Sequence, residues 1–222
     1  MEGPALRRAL VSEFTGTMLL LAAVVGSGIM GERLSAGNEA IALLANSVAT
    51  GAILVALIFA FGPISGAHFN PAVTVAAAAE NGISWRVVPG YVIAQIAGAM
   101  SGVVIAHSMF ALPLLQRSTR DRGGAAQLIS EGVATFGLLL VIHGTGKRAA
   151  AVPLTVAAYI VAAYWFTGST SFANPAVTLA RAFTNTFAGI RLENVAGFIV
   201  AQTLGAAAAT LLFRWFYGEG GK

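Results

Sequence analysis

Hydrophobic and polar positions alternate in long blocks along this chain. Short polar connections separate six apolar stretches, which lie at roughly 9–30, 38–61, 87–111, 126–143, 150–167 and 193–216. An α-helix needs about 20 apolar residues to cross a hydrocarbon core of about 30 Å. The pattern therefore predicts an all-α membrane protein with six transmembrane helices.

Two shorter apolar runs, 71–79 and 175–184, follow polar, Gly/Ser-rich breaks in the chain. As a helix, each run is about 15 Å long, which is half of a bilayer. A lipid-exposed loop at that depth would leave backbone polar groups without hydrogen bonds. We therefore expect both runs to fold back inside the protein as re-entrant half-helices.

Both short runs begin with the same residues, Asn70-Pro71-Ala72 and Asn174-Pro175-Ala176, and both continue with Val and Thr. Asn is a good helix cap, and Pro suits the first helical position because its missing N–H would be unpaired there. A solute near both asparagines would meet amide donors and the positive ends of two helix dipoles. The alternative is that each Asn is only a helix cap.

Further matches predict an internal repeat. Glu13 in the first span corresponds to Glu131 in the fourth, and Gln95 in the third corresponds to Gln202 in the sixth. Three spans are an odd number, so the second half must enter the membrane from the opposite side, and the repeat is inverted. The predicted halves of this single domain, 1–222, are residues 1–111 and 112–222.

Composition narrows the class of function. Hydrophobic residues make up 57% of the 222 residues and charged residues only 10%, so the partner of most of the surface is a lipid bilayer. The chain has no Cys, and its three His lie on separate segments, which argues against disulfides and metal sites. A net charge of +4 is small for binding nucleic acid. We find no nucleophile–base set, and we expect neither an enzyme nor a cofactor.

The segment Ser65-Gly66-Ala67-His68-Phe69-Asn70-Pro71-Ala72-Val73-Thr74 resembles the first signature of the aquaporin and aquaglyceroporin (major intrinsic protein) family. The second Asn-Pro-Ala triplet, the six spans and the matching Glu and Gln residues agree with it, so the resemblance covers the whole chain. It implies a passive channel for water and small neutral solutes, usually a homotetramer with one pore per subunit.

In such channels four positions form the outer constriction, or selectivity filter. The resemblance places them at Thr50, Ile160, Ser169 or Ser171, and Val177. Water-selective members have a large aromatic residue where this chain has Thr50 and an Arg where it has Val177. Bacterial channels associated with arsenic resistance resemble it in having Val. This implies a wide opening for glycerol-like polyols and metalloid hydroxides such as arsenite.

Other polar residues have two interpretations each. Arg181 follows Val177 by four residues, about 6 Å along the half-helix, and is expected not to take the place of the missing Arg. His68 is expected to line the pore; the alternative is a hydrogen bond that caps the loop. Glu13 and Glu131 are expected to accept hydrogen bonds from the folded-back loops; the alternative is a proton relay.

His107 and His143, near the ends of spans, are interpreted as ordinary interface residues.

With the N-terminus inside, seven Lys and Arg residues face the cytoplasm and six the outside, a weak indication that both termini are cytoplasmic. The location expected from the resemblance is the plasma membrane, here a bacterial inner membrane.

Three rival functions stay open at this point. One is a proton-coupled secondary transporter that uses Glu13 or Glu131, since inverted repeats also build transporters. Another is a strictly water-selective aquaporin. The third is a structural membrane protein with a closed pore.

Overall fold

The computed structural model of the protein describes residues 3–146 and 148–217. In these residues the chain forms eight α-helices and no β-strand. The helices are α1 Gly3–Leu34, α2 Glu39–Ser65, α3 Pro71–Ala79, α4 Val88–Met109, α5 Ala125–Thr145, α6 Val152–Phe166, α7 Pro175–Arg181 and α8 Leu192–Tyr217.

The predicted all-α membrane fold is confirmed. Five helices are long and apolar enough to cross a membrane, namely α1, α2, α4, α5 and α8. The sixth, α6, has 15 residues and is about 22 Å long, somewhat short for a full span. α1 is longer than the predicted 9–30 because the helix continues through Arg7, Arg8 and Arg33, whose long side chains can extend toward water.

The two short helices begin at the predicted prolines, Pro71 and Pro175. α3 ends as predicted, whereas α7 ends at Arg181, three residues before the predicted end at 184. The reason is a competing set of backbone hydrogen bonds: Ile190 N donates to the Arg181 carbonyl at 3.2 Å, and Ser118 N donates to the Ala182 carbonyl at 3.0 Å. The polar connection between the two halves thus binds the chain just beyond α7.

The long helices pack in matching pairs, α1 against α4 and α5 against α8. Each pair makes a close backbone approach at a glycine. A Cβ at Gly98 in α4 would overlap the Phe14 carbonyl of α1, and one at Gly205 in α8 would overlap the Gly132 carbonyl of α5. These tight pairs bring α3 and α7 to the middle of the molecule, where most of their residues are buried.

Candidate functional site

A cavity of about 230 Å³ lies along the middle of the protein, lined by residues from both halves of the chain. One face of α6 lines it, because Val152, Val156, Ile160 and Tyr164 recur every four residues on that face. Val152 and Tyr164 are about 18 Å apart along the helix. The parts of the cavity beside these two residues are called here the Val152 end and the Tyr164 end.

Asn70 and Asn174 both line the cavity and make matching hydrogen bonds. The Oδ1 atom of Asn70 accepts from Ala72 N at 2.9 Å, and that of Asn174 accepts from Ala176 N at 3.0 Å. Asn70 Nδ2 donates to the Ala173 carbonyl at 2.7 Å, and Asn174 Nδ2 donates to the Phe69 carbonyl at 2.8 Å.

Each asparagine is therefore a helix cap, as the simpler interpretation held, and also a link to the opposite loop. An amide nitrogen carries two hydrogens. Since the loop carbonyl takes one from each asparagine, the second N–H remains for a solute in the cavity.

Glu13 holds the loop before α3. Its Oε1 atom accepts from His68 N at 2.9 Å, and its Oε2 atom accepts from Phe69 N at 2.7 Å. Ser65 Oγ and Gln95 Nε2 donate to the same carboxylate at 2.6 and 2.8 Å. The carboxylate is completely buried, and each of its oxygens accepts two hydrogen bonds.

Glu131 does the same for the loop before α7. Its Oε1 atom accepts from Ser169 Oγ at 2.6 Å and from Phe172 N at 2.8 Å, and its Oε2 atom accepts from Ala173 N at 2.9 Å and Gln202 Nε2 at 2.6 Å. The two carboxylates thus have matching partners. The inverted repeat predicted from the sequence stays a prediction, although these matching contacts favour it.

The carboxylates stabilise backbone that would otherwise be strained. Ala67, Phe69, Ser171 and Ala173 have φ values between 47° and 50°, in the left-handed region that side-chain-bearing residues rarely adopt. Such residues cost about 1 to 3 kcal/mol each and persist only where their surroundings fix them. Phe69 N and Ala173 N donate directly to Glu13 and Glu131. The N–H groups of Ala67 and Ser171 donate to serine hydroxyls that in turn donate to the same carboxylates. These contacts agree with the structural interpretation of both glutamates.

The predicted filter positions lie mostly on the cavity. Thr50, Ile160, Ser171 and Val177 line it. Ser169, the other candidate for the loop position, does not; its hydroxyl is buried on Glu131. The structure therefore favours Ser171 over Ser169, and the role of these residues in selectivity stays a prediction.

Two aromatic side chains at the Tyr164 end were missed by sequence reasoning. The Tyr164 hydroxyl lies 3.2 Å from Thr50 Oγ1, so an aromatic ring stands beside the position where the sequence lacks one. Phe172 also lines the cavity. The signal for Tyr164 was its place one helical turn after Ile160, whereas nothing in the local pattern around Phe172 indicated it.

Arg181 also lines the cavity, although the sequence led us to expect it away from the filter. Its side chain is 2% exposed, its Nε donates to the Ala188 carbonyl, and its guanidinium carbon lies 3.3 Å from the centre of the Phe172 ring. That expectation used only the rise along the helix. Helical side chains lean toward the N-terminus, so a long Arg covers the turn before its own Cα.

A second arginine, Arg122, lies outside the predicted spans and donates hydrogen bonds to the loop before α7. Its Nη1 donates to the Ser169 carbonyl at 2.9 Å, and its Nε donates to the Gly189 carbonyl at 2.9 Å. Burial, together with repulsion from Arg120, lowers the pKa of Arg122 to about 10. The guanidinium therefore keeps its charge at neutral pH and adds positive potential near Arg181.

The three histidines have different surroundings. His68 lines the cavity, and its Nδ1 lies 3.1 Å from Thr74 Oγ1; its role in the pore stays a prediction. His107 is completely buried, 2.7 Å from Thr184 Oγ1, so its interpretation as an interface residue was wrong. The same interpretation was wrong for His143, which lines the Val152 end of the cavity and pairs with Glu80.

A family model and the sequences of relatives place the chain in the same protein family. Residues 1–163 match the family described as Major intrinsic protein. The chain is 56% identical over 211 residues to the aquaglyceroporin AqpS of Rhizobium meliloti (strain 1021), covering 95% of this chain and 90% of the relative. It is 33% identical over 223 residues to aquaporin NIP2-2 of Zea mays, covering 96% and 71%.

Among solved structures, the aquaglyceroporin from Plasmodium falciparum superposes with a TM-score of 0.74. The superposition covers 97% of this chain and 96% of that one, with 20% sequence identity. This likeness supports the fold alone.

Replacing Glu131 by Gln separates the structural role from the proton relay. Gln offers one acceptor oxygen, so about two of the four donors to Glu131 lose their partner, and we expect a loss of about 2 to 5 kcal/mol in the free energy of unfolding. Thermal unfolding in detergent measures the loss, with exposed Glu39→Gln as the control. Folded Glu131→Gln should still conduct solute. A solute flux that needs a proton gradient in the wild type and loses that need in the variant would favour the transporter.

Replacing Arg181 by Met tests the buried charge. A unit charge about 5 Å from the path opposes a cation by about 3 kcal/mol at an effective dielectric of 20, or about two orders of magnitude in cation population. We expect a measurable rise in Na⁺ and K⁺ conductance across planar bilayers. Arg191→Met, which removes an exposed arginine paired with Asp121, is the control. Equal conductance in the wild type and folded Arg181→Met would contradict a role for the charge.

Proposed function

The chain belongs to the major intrinsic protein family, and we propose that it is a passive channel for glycerol-like polyols and water that also admits metalloid hydroxides such as arsenite. Members of this family are channels, not enzymes. The observation that carries the proposal is the cavity itself, which runs between the two halves with Asn70 and Asn174 on its wall.

The lining of the cavity suits small neutral polyols. Much of its surface is aliphatic. The polar side chains on it are the amides of Asn70 and Asn174, the hydroxyls of Thr50, Tyr164 and Ser171, the Arg181 guanidinium, and His68, Glu80 and His143. A polyol has a hydrocarbon side and a hydroxyl side, so it can contact both kinds of surface. Val177 adds neither the bulk nor the charge of an Arg, which supports passage of solutes larger than water.

Ions are opposed by more than one effect. Two half-charges from the helix ends, each about 5 Å away, oppose a cation by about 3 kcal/mol together at an effective dielectric of 20. That is a factor of about 100 and is insufficient alone. Loss of hydration in the apolar passage and the charge of Arg181 add to it.

The two asparagine amides also oppose the conduction of protons through water in the cavity. A water oxygen that accepts from both Asn70 and Asn174 has its own hydrogens directed away from the asparagines, toward both ends of the cavity. A continuous proton wire needs neighbouring waters to point the same way. The paired amide donors therefore break it at the middle of the cavity.

Two observations weigh against a proton-coupled transporter. Glu13 and Glu131 each accept four hydrogen bonds, so neither has a free oxygen to pick up a proton. Neither residue lines the cavity. A proton bound to either carboxylate would remove one of the hydrogen bonds that hold its loop.

The proposed oligomeric state and membrane location follow the family and the relatives. We propose a homotetramer with one pore per subunit, placed in a bacterial inner membrane with both termini cytoplasmic. The rhizobial origin of one relative favours a bacterial membrane. The inverted repeat of 1–111 and 112–222 is proposed from the matching sequence positions of the two halves and the matching contacts of Glu13 and Glu131.

Light scattering of reconstituted vesicles tests the function. Stopped-flow measurements should give fluxes of water, glycerol and arsenite above those of protein-free vesicles, driven by the osmotic or solute gradient alone. Urea serves as a further neutral solute. Water flux without glycerol flux would favour a water-selective channel, dependence on a pH gradient would favour a transporter, and no flux would favour a structural protein.

Replacing Val177 by Arg tests the width of the path. The variant adds a long side chain, five N–H donors and a fixed charge beside Thr50 and Ile160. Glycerol and arsenite should be slowed more than water, so the ratio of solute to water permeability should fall at equal protein content. Val177→Leu, which adds bulk without charge, separates the two contributions. An unchanged or higher ratio in Val177→Arg would mean that the constriction lies elsewhere.

A further inference from the structure

Two polar side chains interrupt the apolar wall at the Val152 end of the cavity. Glu80 follows the last residue of α3, and His143 lies near the end of α5; both line the cavity. His143 Nδ1 lies 3.0 Å from Glu80 Oε2. The side chain of His143 is 5% exposed and that of Glu80 is 29% exposed. These two side chains are called here the Glu80–His143 pair.

One atom of each side chain has no hydrogen-bond partner. Glu80 Oε1 and His143 Nε2 are both buried and unpaired among the residues that the structure describes. Buried polar atoms in proteins nearly always have a partner, because leaving one unpaired costs the desolvation of that group. Two such atoms on neighbouring side chains at a cavity wall call for a ligand.

The pair presents hydrogen-bond acceptors. The Glu80 carboxylate beside Nδ1 favours the proton on that nitrogen, so Nε2 of the neutral ring is an acceptor. Glu80 Oε1 is an acceptor as well. Arg214 of α8 is a charged side chain that acts on Glu80, and it donates to the Ala79 carbonyl; the described residues of α6 include no acidic or basic side chain.

The Glu80–His143 pair is separated from the two asparagines along the cavity. Glu80 lies ten residues after Asn70, about 15 Å along α3. The wall between them is apolar, with Val73, Ala77, Leu139, Ile142 and Val156. A solute therefore meets donors at the asparagines, then an apolar stretch, and then acceptors at the end of the cavity.

The geometry points to a docking site for hydroxyl-bearing neutral solutes at the Glu80–His143 pair. One solute hydroxyl donates to Glu80 Oε1 and a second donates to His143 Nε2. The site replaces hydration that the solute loses in the apolar stretch, and it favours molecules with two or more hydroxyls over water. This inference rests on the proposed function, since it needs a solute path through the cavity.

Two variants test the site with glycerol as the probe. Glu80→Gln keeps the shape of the side chain and replaces part of its acceptor capacity by a donor. His143→Phe keeps a ring next to Phe213 and removes Nε2. In vesicles we expect the ratio of glycerol to water permeability to fall about threefold to tenfold in each variant, as for the loss of one hydrogen bond. His143→Gln, which keeps an acceptor, should recover part of the ratio.

Glu39→Gln is the matched control, because Glu39 is an exposed carboxylate at the start of α2 and does not line the cavity. Its ratio should equal that of the wild type. Wild-type ratios in folded Glu80→Gln and His143→Phe would overturn the docking site and leave the proposed function intact. A wild type without glycerol flux would overturn the proposed function, and the docking site with it.

Discussion

The structure depends on two buried carboxylates that supply hydrogen-bond acceptors where water is absent. A polypeptide that turns back in the middle of a membrane has to pair its backbone N–H groups inside the protein. Glu13 and Glu131 do this for the two loops, and each is held in turn by a glutamine of a neighbouring long helix. The cost of placing a charge at that depth is offset by four donors to each carboxylate.

From this constraint the remaining features of the site follow in order. The fixed loops place Asn70 and Asn174 at the starts of α3 and α7, with their side chains linked to the opposite loops. The short helices then leave a cavity between themselves and α1, α2, α5 and α6. The chemistry of the path is therefore set by few side chains: amides in the middle, a buried arginine at one end and an acid–histidine pair at the other.

The sequence could predict what depends on local pattern and repetition. Hydrophobic length predicts the spans, and the doubled Asn-Pro-Ala predicts two short helices with capped starts, because capping needs only neighbouring residues. The end of α7 and the locations of Arg181 and His143 could not be predicted in this way. They depend on contacts with Ile190, Phe172 and Glu80, and the direction of a long side chain is decided by tertiary packing. Which of Ser169 and Ser171 lines the cavity could not be predicted either, because it depends on Ser169 donating to Glu131.

The crossed bonds between the two loops also constrain how the protein is made. Asn70 donates to a carbonyl 103 residues farther along the chain. At synthesis rates of about 5 to 20 residues per second, that acceptor follows Asn70 by about 5 to 20 s. During this interval the first loop can bond to Glu13, but the carbonyl that Asn70 binds in the second loop has not yet been made. The first half therefore leaves the ribosome with a polar edge that has to be kept from lipid until the second half arrives.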